Sequence, residues 1–235
     1  MDKQALIAWI KEQRYVGKCF AEDEEMQVAR LDRSVDRFRA YLREECGLER
    51  IEGTTLDALK AFGFSYPEND DEHLSLVFSF LGRRELADYM GMVSADKYFR
   101  NRKITSVFSA LDDFKAHIKS LRTVDIRMGH QLLERGATPE GRAQIAEATG
   151  VPADDLLAMV HCCDLSRMTG MACKTLMRSV AMGYDTLAKF RAVTEAQIEA
   201  DFSAYLQETG QRTNRMTSFS SFVRQAWRLE DVVVF

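Results

Sequence analysis

At 235 residues, with 46% apolar and 29% charged side chains, the chain is long enough to bury one large core or two small ones and has the composition of a soluble globular protein. Three prolines, with abundant Ala, Leu, Met, Arg and Glu, favour helix and disfavour a turn-rich β architecture. The net charge of −4 is not the strong basic excess of a dedicated nucleic-acid binder.

That charge is unevenly spread. Residues 1–82 carry 11 basic and 17 acidic side chains, residues 83–135 carry 11 and 7, and residues 136–235 carry 10 and 12. Only the middle stretch, with "KYFRNRK" at 97–103, is an electrostatic candidate for a polyanion. No apolar run reaches the roughly 20 residues of a membrane span. The first 15 residues are amphipathic and charged throughout, unlike a secretory leader. Five cysteines, two of them adjacent, do not form a disulfide framework, so a reduced, cytoplasmic chain is expected.

In chain order, Asp2 is expected to cap a first helix with Leu6, Ile7, Trp9 and Ile10 as its buried stripe. A second helix is expected from about Glu22 to Cys46, with Gly47 as its stop. The acidic cluster at 22–25 suits the first turn, where the helix dipole favours negative charge. Thr54 to Gly63 reads as a short helix, and Pro67 marks a break. Residues 72–92 read as two short helices hinged at Gly82. Residues 101–122 read as one strong helix, with Ile104, Val107, Phe108, Leu111, Phe114 and Ile118 on one face. Another is expected from about Val124 to Leu133, and a domain boundary near 135.

Beyond that point the rhythm changes to short helices between small-residue turns. Thr138 caps a helix with Pro139 at its first position; Gly150 closes it and Pro152 opens the next. Asp164 is expected to cap "LSRM", and Gly170 and Gly183 to turn the chain. Thr194 and Gln197 have capping-box spacing before a helix to Gly210. A last helix is expected at about 217–229, and "DVVVF" reads as an extended tail, adding a strand to another chain or tucking against its own domain.

The stretches "GRAQIAEATGV" (141–151), the leucine-bearing helix after Pro152, "CDLSRMTGM" (163–171) and "GYDTLAKF" (183–190) resemble the family called domain of unknown function 4332, over about residues 135–205. The resemblance implies a relation to helix-hairpin-helix modules. In such modules a glycine–apolar–glycine turn lets backbone amides meet a phosphate, with little reading of sequence. The corresponding turn here is Gly170-Met171-Ala172, with Ala172 where the second glycine is expected. Arg167, Lys174 and Arg178 are placed to supply phosphate charges, the last two on one helix face. The plainer reading is a glycine that permits close helix packing and three solvated basic side chains.

Other chemistry has weaker footing. His161, Cys162, Cys163 and Cys173 lack zinc-ligand spacing, and adjacent helical cysteines point about 100° apart. Met159, Met168, Met171, Met177 and Met182 fit an irregular core, or an adaptable partner surface. The expectation is an all-α chain with an amino-terminal helical bundle (1–135) and a carboxyl-terminal helix-hairpin-helix (SAM-like) short-helix domain (136–235). No catalytic group, metal or cofactor is expected. DNA or RNA, bound through backbone phosphates by Arg167, Gly170, Ala172, Lys174 and Arg178, is the leading partner. A protein partner or homodimer bound by a scaffold module is the alternative.

Overall fold

The structure is a computed structural model that describes residues 1–13, 23–65, 70–212 and 218–234. It is mostly helical, with one isolated bridge pair, Lys103 and Met128, as the β-type pairing among the described residues. None of the helices there is long and apolar enough to cross a membrane. The chain forms two compact units, Met1–Ser94 and Ala95–Phe235.

The first unit contains α1 (Lys3–Glu12), α2 (Glu24–Cys46), α3 (Leu56–Ser65), α4 (Asp70–Phe80) and the start of α5 (Arg84–Arg100). Asp2 caps α1 as expected, accepting from the amides of Gln4 and Ala5. The expected start of α2 at Glu22 and the break at Pro67 lie outside the described residues. α3 runs two residues past Gly63, and α5 extends well beyond the expected short helix, to Arg100. Helices α2, α3 and α4 meet around Phe38, whose ring contacts Phe62 at 4.8 Å and Phe78 at 5.8 Å edge-on. Arg83 reaches across this unit to the carbonyls of Glu52 (2.6 Å) and Thr54 (2.8 Å), holding the turn between α2 and α3.

In the second unit the expected long helix at 101–122 is instead three short ones: α6 (Ile104–Val107), α7 (Asp112–Lys115) and α8 (Ile118–Thr123). Two influences defeat the continuous helix. Ile104, Thr105, Ser106, Val107 and Ser109 are indifferent helix formers. The main chain is also claimed elsewhere: Ile104 N donates to Arg127 O and Gly129 N to Arg102 O, which ties 102–104 to 127–129. That pairing likewise delays the next helix, α9 (Gly129–Gly136), to a start five residues after the expected Val124.

The remaining helices follow the punctuation of the sequence more closely. They are α10 (Pro139–Thr149), α11 (Ala153–Leu165), α12 (Cys173–Ala181), α13 (Leu187–Arg191), α14 (Glu195–Thr209) and α15 (Ser220–Ala226). Thr138 caps α10 by accepting from Gly141 N, and Gly150 ends it in a left-handed conformation. Asp164 is not a cap: it lies inside α11, and its carboxylate takes the guanidinium of Arg167. Thr194 accepts from Gln197 N, but the Gln197 side chain turns to Asp201, so the capping box is half made. The last helix ends at Ala226, short of the expected 229, with Trp227 as its C-cap; residue 217 lies outside the described residues.

The sequence placed a domain boundary near 135, whereas the compact units divide at 94/95. The helix ending at Gly136 packs on α11, and its Leu132 and Leu133 share one core with Val160 and Met159. Contact is closest at Gly136, where a Cβ would stand 2.6 Å from the Val160 side chain. Gly136→Ala should therefore cost about 1–3 kcal/mol, overriding the helix-propensity gain. Urea unfolding checks this, and Val160→Ala should cost less on the Gly136→Ala background than on the wild type.

The hairpin candidate site

α11 and α12 are joined by residues 166–172, the turn singled out in the sequence. Gly170 adopts φ +85°, a left-handed conformation in which a Cβ would be strained. Met171 is 2% exposed and fills the expected apolar slot. Ala172 has φ −76° and ψ 168°, ordinary for alanine, so the missing second glycine costs the turn no strain. It occupies the N-cap of α12 and offers no side-chain acceptor.

The amides of the turn are largely engaged from within. Thr169 N donates to Gln225 Oε1 at 2.7 Å, while Gln225 Nε2 donates to Thr169 O at 3.3 Å. Met171 N donates to Met168 O and Ala172 N to Gly170 O. On the buried side, Arg102 donates from Nη1 to Met171 O (3.1 Å) and from Nη2 to Ser106 O (3.3 Å). Arg102 is 6% exposed, so a residue of the basic 97–103 segment serves as an internal strut. Arg100 of the same segment is paired with Asp96 and Glu134, which hold its guanidinium above its ordinary pKa, Asp96 foremost.

The predicted phosphate ligands therefore do not converge as free cations. Arg167 binds Asp164 at 2.6 Å, with side chains 14% and 6% exposed, and also donates to Glu230 O. Burial pushes the Asp164 carboxyl above its usual range although Arg167 opposes the shift. Arg178 donates to the Gln211 side chain and to Arg212 O. Lys174 is exposed on the first turn of α12, beside the amides of Cys173, Lys174 and Thr175, the donors a helix start leaves without intrahelical partners. Of the predicted set, Gly170, Ala172 and Lys174 face solvent; Arg167 and Arg178 act within the fold.

Cys162 and Cys163 are 2% and 0% exposed. Burial raises the Cys162 thiol to about 12 and Cys163 well above its normal value. Neither is available as a thiolate nucleophile or ligand. No group of three or more His, Cys, Asp or Glu able to hold a metal occurs among the described residues. Met159, Met168 and Met171 are core side chains, with Met177 and Met182 half-buried.

Sequence reading missed four residues that organise this region: Arg102, Arg142, Arg191 and Gln225. One signal was present for Arg142, which sits three residues before buried Ile145 on the inward face of α10. The others answer main-chain acceptors distant in sequence, which no local pattern announces.

Residues 113–229 match the family model described as domain of unknown function DUF4332. The match lies inside the second compact unit and extends the resemblance read from 135–205 in both directions. Neither the curated proteins nor the solved structures provide a match to the chain.

Two measurements check the buried groups. Thiol reagent at pH 8 should reach Cys162 and Cys163 only after denaturant is added. His161 is 9% exposed and is held below the ordinary 6.5, chiefly by burial. The unfolded chain thus binds this proton more readily, so its contribution to stability is present above pH 6.5 and is lost as pH falls through the lowered folded value. Unfolding midpoints measured from pH 7.5 to 5 should fall with acidity, less so in His161→Gln.

Proposed function

We propose that the chain is a non-catalytic interaction module that docks another protein through its second unit. The observation that carries this reading is the internal use of the hairpin's polar groups: Thr169 N donates to Gln225, Arg167 donates to Asp164 and Glu230 O, and Met171 O accepts from Arg102. Two of the three predicted phosphate cations are spent on the fold, and an aromatic side chain is left outside. Trp227 is 67% exposed, yet Arg191 holds the carbonyls on either side of it, Ala226 O at 2.8 Å and Leu229 O at 2.7 Å. A solvent-facing tryptophan is a typical binding hot spot. The relation to helix-hairpin-helix modules fits as ancestry of shape, with α11, the Gly170 turn and α12 as the two helices and their joint. Free thiols at Cys46, Cys162, Cys163 and Cys173 suit a cytoplasmic setting.

A second reading keeps nucleic acid as the partner. It rests on the exposed start of α12, where Ala172 has no capping acceptor and Lys174 adds a positive charge, with Gly170 beside it. Binding by Arg178 in this reading requires it to leave Gln211 and Arg212.

Fluorescence anisotropy with labelled duplex and single-stranded oligonucleotides at low salt separates the two. The interaction-module reading expects no salt-dependent binding, and no change in Lys174→Glu with Arg178→Glu. With Trp227 replaced by photoreactive benzoylphenylalanine, the chain should cross-link to protein in its native extract. Cross-linking to nucleic acid, or salt-dependent binding lost in the double charge reversal, overturns it.

A further inference from the structure

Residues 228–234 follow α15 without regular structure, and three arginine side chains from other elements reach them. Arg191 donates to Ala226 O and Leu229 O, then grips both oxygens of Asp231 at 2.7 and 2.9 Å. Arg167 donates to Glu230 O at 3.1 Å, and Arg142 to Val234 O at 2.9 Å. Three main-chain bonds accompany them: Val234 N to Ala137 O at 2.8 Å, and Arg228 N and Leu229 N to Gln225 O at 3.0 and 3.2 Å. Val232 and Val233 lie half-buried against the core.

Arg142 is buried at 8% exposed, and the Arg167 and Arg191 side chains are largely covered, at 14% and 18%. Their donors are mostly spent on main-chain carbonyls, which every peptide carries; Asp231 and the valines supply what selectivity there is. Leaving such donors without acceptors is costly, so the groove favours an occupant of the same kind. The segment can nevertheless leave without melting a helix. Among the described residues four large apolar side chains are exposed, and two of them, Trp227 and Val234, bracket this segment.

We propose that this groove is an exchangeable peptide site, and that residues 228–234 of a second copy of the chain occupy it in trans. The proposal rests on the interaction-module reading and names its partner. The groove already holds this segment, so an identical segment from another copy makes the same contacts, and concentration decides between cis and trans. Trp227 and Val234, both exposed, then lie where the two copies meet.

The test uses the full chain and a labelled peptide, WRLEDVVVF, copied from 227–235. Asp231→Asn in the chain weakens the cis segment and leaves the groove intact; it should bind the peptide about tenfold more tightly than the wild type does. The Ala137→Cys, Val234→Cys chain, oxidised to lock the segment in place, should bind none until reduced. Sedimentation should show a dimer that grows with concentration in the wild type and is lost in the chain locked as a monomer. Equal peptide binding by locked and unlocked chains, or none by any, overturns the proposal. So does a strictly monomeric wild type. Cross-linking at Trp227 to an unrelated protein without peptide binding removes the exchange proposal and leaves the interaction module standing.

Discussion

The second unit depends on buried arginines that donate to main-chain carbonyls. A fold assembled from short helices multiplies helix ends, and each end leaves carbonyls without intrahelical partners. Water satisfies such groups at a surface, but in a core they need donors or they cost roughly 1–3 kcal/mol apiece. A guanidinium offers five N–H groups in a fixed plane on a long stem, which suits it to several carbonyls from separate segments. Arg102 joins the α6 turn to the hairpin turn, Arg142 joins the end of α9 to the chain's last described residues, and Arg191 joins α13 to the end of α15. Arg83 does the same for the turn after α2 in the first unit.

This use of arginine changes the meaning of the hairpin. In a phosphate-binding turn the positive charges and the open amides serve a ligand. Here Arg167 answers a buried aspartate and a carbonyl, and Gln225 covers Thr169 on both its polar atoms. The donors of this turn are directed inward. Buried ion pairs such as Asp164–Arg167 carry a desolvation cost, which the raised Asp164 pKa reflects, so the pair is better read as fixing the register of the turn than as a large source of stability.

Much of the helical framework was legible from local chemistry. Asp2, Thr138 and Thr194 cap as their side chains and positions predict, and Gly47, Gly150 and Gly210 end helices. The apolar slot filled by Met171 was also legible. The strong apolar stripe at 104–118 misled, because periodicity does not report the competing pairing of 102–104 with 127–129. The tail was ambiguous for the same reason. Its place beside Ala137 and Arg142 rests on atoms about a hundred positions away.

The sequence by itself determined an all-α chain, the positions of most helix starts and stops, and a turn at Gly170, since these follow from side chains acting within a few residues of themselves. Tertiary structure alone decided where the compact units divide and which cations are free. It also decided that Arg142, Arg167 and Arg191 hold the final segment. An arginine reads the same in a sequence whether its partner is a phosphate, a carboxylate or a distant carbonyl, and only the folded path of the chain brings one of these within reach.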